Sequence, residues 1–336
     1  MPYPDKILQW NINGLKTRLP RLQYLINETQ PKILALQEIK LNDNTPIFFR
    51  GFNVYKKLRP VAGGGGVCLA VHSQIPSTPL QLNTALEAVA CKVFFKNFSL
   101  SICNVYFNDG ADISYDTLKQ LVDSIPSPKL ILGDMNAKHI SWGSPENNGR
   151  GILLNDFFSD KDLFVLNDGS PTYYNSFLDL YSHLDITACS DNTSHHFNWE
   201  VYHDKLSSDH YPIFINFNIP NMYTSKPAKW KFGDAKWPDF RREASLPTII
   251  FNCNIANQEI VNNILAACVT SIPRTGTNVS SKYNCFWWND ECKIALANVK
   301  RQLRLLNRNH CPANKIEYHR LDAIATRTLL DAKSSN

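Results

Sequence analysis

Ten short runs rich in Val, Ile, Phe and Tyr recur before residue 218, and no other feature constrains the fold so tightly. They span 7–12, 33–37, 52–57, 67–71, 88–95, 100–106, 130–133, 185–188, 197–202 and 211–217. Most are bounded by Gly, Pro, Asn or Ser, so they read as strands. Helical spacing appears between them: Leu19, Leu22, Leu25 and Ile26; Tyr115, Leu118, Leu121 and Val122; and Leu153, Leu154, Phe157 and Phe158. Pro20 is expected near the start of its helix, where its missing N–H costs little. Many strands with a few helices make an α/β chain, with two sheets face to face and helices outside. The pattern alone leaves the topology open.

Polar side chains gather at the ends of these runs: Trp10-Asn11, Leu36-Gln37-Glu38, Asn104-Val105-Tyr106, Gly133-Asp134-Met135-Asn136, His183-Leu184-Asp185 and Ser207-Ser208-Asp209-His210-Tyr211-Pro212. Rigid strands hold groups at such places accurately. Glu38 suits a hard divalent cation, although a solvated strand-end glutamate is the ordinary reading. Asp134 and Asn136, two apart in an extended chain, would point the same way and could deprotonate and orient a water. An Asx-turn is the structural alternative there. His210 carries an imidazole that titrates near neutrality. Asp185 lies in an apolar run, which is costly unless paired, and His210 is a fitting partner. A core tyrosine is the default for Tyr106.

The ordered series resembles the endonuclease/exonuclease/phosphatase family from Ile7 to about Phe217. Within it, Gly133-Asp134-Met135-Asn136-Ala137-Lys138-His139, Trp142-Gly143-Ser144 and Ser207-Ser208-Asp209-His210 resemble the endonuclease domain of jockey-like non-LTR retrotransposon proteins, which are RNA-directed DNA polymerases. The resemblance implies a four-layered α/β sandwich and a Mg2+-dependent DNA endonuclease, with Mn2+ as an alternative ion. It implies that Glu38, supported by Asn11 and Asp209, holds the metal, and that Asp134 and Asn136 position the nucleophile. It also implies that Asp185 pairs with His210 and that Tyr106 contacts the phosphate. A nick leaving a 3′-hydroxyl would serve a reverse transcriptase of the same element, in the nucleus, with element RNA as a further partner. Ser182 stands where the repair branch carries an aromatic residue for an abasic site, which argues against abasic-site repair. Two rivals remain at this stage. One is a phosphatase or phosphodiesterase for a small phosphorylated substrate. The other is a decayed copy that only binds nucleic acid.

The chain has 336 residues and is 43% hydrophobic and 19% charged, enough for one large or two ordinary domains. No apolar run reaches the length of a membrane span, and the first residues lack the pattern of a signal peptide. Of nine cysteines, Cys68, Cys91 and Cys103 lie inside strand-like runs and Cys189 just after one, and they read as core thiols in a reducing compartment. The net charge of +5 equals the surplus of ten Lys/Arg over five Asp/Glu across residues 282–333. The sequence divides at about 220 into a catalytic domain (1–220), a linker with helical segments (221–285) and a basic helical segment (286–336), with Asn289 or Asp290 as a helix cap and a break at Pro312. The last segment resembles the stretch before a reverse transcriptase, with no polymerase motif. Gly63 to Gly66 lack the Lys-Ser/Thr of a phosphate loop and read as a hairpin. Cys285, Cys292, His310 and Cys311 lack paired zinc spacing. His195-His196 reads as a polar loop, and the basic helix 293–308 as a solvated face or a nucleic-acid contact.

Overall fold

A computed structural model describes residues 5–42, 45–59, 65–95, 98–217, 230–244, 253–273 and 287–334. Its elements run β1 (Asp5–Asn11), α1 (Leu15–Thr29), β2 (Ile33–Gln37), β3 (Phe52–Lys57), β4 (Val67–His72), β5 (Ser77–Leu80), β6 (Glu87–Phe95) and β7 (Phe98–Tyr106). They continue with α2 (Tyr115–Asp123), β8 (Lys129–Asp134), α3 (Gly149–Asp160), β9 (Leu163–Val165), β10 (Tyr173–Asn175), β11 (Leu180–Ser182), β12 (Asp185–Ser190), β13 (Phe197–Val201) and β14 (Ile213–Phe217). Helices α4 (Trp237–Glu243), α5 (Cys253–Ser271), α6 (Asp290–Arg308) and α7 (Pro312–Ser334) follow.

Two six-stranded sheets result, ordered β13-β14-β1-β2-β4-β3 and β5-β6-β7-β8-β12-β9, with a two-stranded β10-β11 ribbon beside them. The central strands are buried on both faces, which is why their sequences read as nearly unbroken apolar runs. Alternation then sorts the residues. Ile7, Ile33, Ala35, Leu69 and Val71 of the first sheet meet Val93, Ile102, Leu130, Leu132 and Cys189 of the second. Leu8, Trp10, Leu34 and Leu36 face the opposite way, onto Leu22, Leu25 and Ile26 of α1. Cys103, Val105, Ile131, Ile186 and Ala188 likewise cover Leu118 and Leu121 of α2 and Leu154 and Phe157 of α3. The layers are therefore helix, sheet, sheet, helix. Each fully buried aliphatic side chain contributes about 1.5–3 kcal/mol to this packing.

Polar clamps join the sheets inside this core. Gln37 Nε2 donates to Asn104 Oδ1 at 2.6 Å, and Asn104 Nδ2 donates to the carbonyls of Leu36 and Cys68. Thr187 Oγ1 donates to Gln9 Oε1 and accepts from Trp199 Nε1. Asn104 is bonded at both ends of its amide, whereas Gln9 Nε2 and Gln37 Oε1 are buried without a partner among the described residues; a one-residue slip would break every one of these bonds.

Several expectations need adjustment. Pro20 is the sixth residue of α1, not a first-turn residue. Lys16, whose carbonyl loses the usual donor, is exposed. The region expected to be helical after residue 240 forms α4 and α5, in a compact unit of its own (residues 224–281). Helices α6 and α7 belong to the same compact unit as the sandwich, although the sequence set 286–336 apart. Asn289 caps α6 by accepting from the Cys292 N–H at 2.9 Å, and Pro312 opens α7. Gly63, Gly64, Pro220 and Cys285 lie outside the described residues. No helix among the described residues is long and apolar enough to cross a membrane.

Candidate active site

Period-two alternation delivers the site. In β1 the residues facing the other sheet are Ile7, Gln9 and Asn11, and Asn11 ends the strand. Leu130 and Leu132 set the same phase in β8, which ends at Asp134. In β12, Cys189 and Thr187 set it and Asp185 begins the strand; in β7, Ile102 and Asn104 set it and Tyr106 ends the strand. Tyr106 pairs with Asp134 across β7-β8, and Asp134 pairs with Asp185 across β8-β12. Asn11 pairs with Gln37, and Glu38 follows. The polar residues thus gather at one mouth of the space between the sheets.

Asn11 is the hub. Its Nδ2 donates to Asp134 Oδ2 at 2.8 Å and to Glu38 Oε1 at 3.1 Å, and lies 3.5 Å from His210 Nε2. His210 Nδ1 is 2.7 Å from Asp185 Oδ2, and Nε2 is 3.7 Å from Asp134 Oδ2. Trp10 Nε1 anchors the His210 carbonyl at 3.1 Å, and the Tyr173 ring stacks edge-on to the imidazole. Tyr106 donates its hydroxyl to Glu38 Oε1 at 2.8 Å. Asp209 Oδ1 accepts from Asn13 Nδ2 at 2.9 Å and lies 3.3 Å from the Ser208 hydroxyl oxygen.

Asn136 departs from the extended geometry expected of it. Its φ is 47°, its own N–H donates to Asp134 Oδ1 at 3.0 Å, and its amide donates to the Phe107 carbonyl. The Asx-turn and the placement beside Asp134 are the same feature, because the turn closes on that carboxylate. Positive φ also occurs at Asn13, Glu38, Lys40, Leu206 and Ser207, all in loops next to the site. Such conformations cost about 1–3 kcal/mol each and cluster where function holds them.

Electrostatics divide the site in two. Burial pushes the Asp134 carboxyl well above the usual carboxylate range; His210 pulls it back, while Asp185 pushes it further up. Burial works against the His210 imidazolium, but Asp185 and then Asp134 outweigh it, so the imidazole is held protonated above its ordinary range. Burial also works against Glu38, yet hydrogen bonds from Lys40, Asn11 and Tyr106 overcome it and lower its pKa. Asp209 is lowered too, since His210, Asn13 and Ser208 offset its burial.

Two groups could hold a cation. Asp134, Asp185 and His210 offer ligand atoms within 4.8 Å of one another. However, the close His210–Asp185 contact needs a proton between them, and all three residues are buried. Glu38 fits a hard cation better. Its Oε2 already receives the Lys40 ammonium at 2.8 Å, and the same ammonium donates to Asn13 Oδ1 at 2.6 Å. Oxygen donors at the rim are therefore arranged around positive charge.

All eight residues singled out in the sequence lie in this network. Asn13, Lys40 and Tyr173 were missed. Asn13 and Lys40 each follow a site residue by two positions, which was the available signal. Tyr173 is brought in by an isolated bridge to His210 from a short ribbon that carries no strong pattern.

Residues 100–214 match the family model described as Endonuclease-reverse transcriptase. The chain is 27% identical over 221 residues to the probable RNA-directed DNA polymerase from transposon X-element of Drosophila melanogaster, covering 64% of this chain and 24% of that protein. It is 24% identical over 225 residues to the RNA-directed DNA polymerase from mobile element jockey of the same organism, covering 62% and 23%. The chain therefore spans about a quarter of the length of these curated relatives. Its fold matches the solved endonuclease domain of TRAS1, a telomere-specific non-LTR retrotransposon, with a TM-score of 0.57 and 24% identity over 64% of this chain and 98% of that one.

Proposed function

We propose that this chain, which carries an endonuclease–reverse transcriptase domain on an endonuclease/exonuclease/phosphatase-like fold, is a Mg2+-dependent DNA endonuclease. It hydrolyses one strand of a duplex and leaves a 3′-hydroxyl primer for the reverse transcriptase of the same element. One observation carries the reading: Glu38, Asn11, Asp134, Asp185 and His210, from distant parts of the chain, share one hydrogen-bonded cluster at the mouth between the sheets.

Each residue has a distinct task. Asp134, buried and raised in pKa, accepts the proton of the attacking water through Oδ2, while Asn11 and Asn136 hold that carboxylate in place. His210, kept protonated by Asp185, donates a hydrogen bond to a phosphoryl oxygen as negative charge grows there. Tyr106 orients Glu38 by donating its hydroxyl to Oε1. Water adds to phosphorus, its proton passing to Asp134; the P–O3′ bond breaks, and the leaving oxygen takes a proton from solvent to become the 3′-hydroxyl. Glu38, with Asn11 and Asp209 in support, would hold Mg2+, displacing the Lys40 ammonium. Such an ion supplies charge stabilisation at the phosphoryl and leaving oxygens.

The test is conversion of supercoiled plasmid to open circles with Mg2+ and with chelator. Wild type should nick only with the ion, and His210→Ala should be slower by about 10²–10⁴-fold. Nicking by His210→Ala at the wild-type rate, or turnover of small phosphomonoesters with none of plasmid, would refute the reading.

A further inference from the structure

We infer that α7 is a brace for the loop carrying Asp209 and His210, and that Asp322 is its positioning residue. The loop runs from Asp204 to Tyr211 between β13 and β14, and two of its residues are left-handed: Leu206 at φ 52° and Ser207 at φ 68°. A buried leucine in that conformation costs about 1–2 kcal/mol, so neighbouring structure must hold it. Asp322 and Thr326 of α7 supply that hold. The Ser207 hydroxyl donates to Asp322 Oδ2 at 2.9 Å and lies 3.1 Å from Thr326 Oγ1. Asp322 Oδ1 accepts from the buried Arg21 of α1 at 2.7 Å, and Arg21 also donates to Thr326 Oγ1. Tyr318, one turn earlier on α7, donates its hydroxyl to Asp204 Oδ1, and Asp204 caps the turn by accepting from the Leu206 N–H.

The same knot reaches the site along two short paths. Ser208 and Asp209 follow Ser207 directly, and the Ser208 hydroxyl donates to the Asn11 carbonyl at 2.8 Å. Arg18 of α1 donates to the Ser207 carbonyl at 2.9 Å and to the Asn13 carbonyl, and Asn13 in turn holds Asp209. Asp322 is 115 positions from Ser207 in sequence, so nothing local in the chain supplies these bonds.

Packing holds part of the loop: Leu206 is buried in the cluster that includes Leu15, Leu22 and Phe214, and the Tyr173 ring lies edge-on to His210. Beyond Asp204 the seam with α6 and α7 opens into a cavity of about 510 Å³ lined by Tyr174, Lys205, Tyr211, Lys315 and Tyr318 among others. At Ser207 the hold that α7 supplies consists of polar bonds. Apolar contacts also anchor α7: Tyr318, Ala325 and Leu329 pack with Trp287, Leu296 and Val299, and Trp288 stacks on Tyr24 of α1 at 5.6 Å.

The kinetic arm of the test rests on the nuclease reading; the structural arm does not. The full chain would be compared with Asp322→Ala, Asp322→Asn and Ser207→Ala by hydrogen exchange of residues 204–211 and by nicking kinetics. Asp322→Ala should speed exchange in that loop and lower kcat by on the order of tenfold to a hundredfold, with KM for DNA unchanged. Asp322→Asn should restore both, since an amide can still accept from Arg21 and donate to Ser207. Ser207→Ala should give a smaller change of the same sign and covers the case in which Asp322→Ala does not fold. Unchanged exchange in the two alanine variants overturns the brace. So does a loss of kcat in Asp322→Ala that Asp322→Asn fails to restore, which would assign the effect to charge. If the wild type nicks nothing, the nuclease reading fails while exchange still decides the brace.

Discussion

Glu38 and Asp134 share a single amide donor, Asn11 Nδ2, yet their carboxyl groups shift in opposite directions. Glu38 sits at the rim, with Lys40 and Tyr106 also hydrogen-bonded to it, and is held ionised. Asp134 is buried beside a second carboxylate, Asp185, and accepts protons more readily than an ordinary aspartate. Identical chemistry in two settings thus gives opposite shifts, which suit the cation ligand and the proton acceptor of the proposed function.

The sharpest way to break this division is to neutralise the two sides separately. Asp134→Asn should lower the nicking rate by about 10²–10⁴-fold, and raising Mg2+ should not recover it. Glu38→Gln should weaken the response to Mg2+, so excess ion should partly restore its rate. Asp185→Asn should follow Asp134→Asn, because its partner is an imidazole. Magnesium titrations of the three variants check this, and equal rescue of all three would place Asp185 and Asp134 in the metal shell.

A smaller effect concerns pH. The carboxylate of Asp185 raises the pKa of both Asp134 and His210. In the proposed function the acid limb of the rate would report Asp134 losing its proton, and the alkaline limb His210 losing its own. Asp185→Asn should therefore move both limbs to lower pH, read from kcat profiles of wild type and variant. A shift of one limb alone would uncouple the pair.

The smallest effect is on stability. Glu38 has a folded pKa below its unfolded value, so it contributes stability above the unfolded pKa, and that contribution is lost as pH falls through the folded one. In chelator at pH 7, Glu38→Gln should destabilise the protein by about 1 kcal/mol. The gap from wild type should narrow as pH drops below about 4. Urea unfolding at several pH values measures it.

Much of this was legible in the sequence. The ten strand-like runs all appear within a residue or two, because double-sided burial leaves long apolar words. Strands β5, β9, β10 and β11 were not read: they are three or four residues long, and β5 contains Pro79. The eight residues singled out, Asn11, Tyr106 and Asp209 among them only on the resemblance, come together in one network, but the backbone at Asn136 was not read, since a left-handed turn leaves no mark in side-chain alternation. The grip of α7 on the loop at Ser207 was equally hidden. It depends on Asp322 and Thr326, ordinary polar residues on a helix face that gain meaning only when that face meets Arg21.

The measurement that tests the division most directly is carboxyl-carbon NMR titration of Glu38 and Asp134 in the metal-free protein, each resonance assigned by its amide variant. Glu38 should titrate below the ordinary glutamate value and Asp134 above the ordinary aspartate value. Displacement of both carboxyls in the same direction would contradict the account.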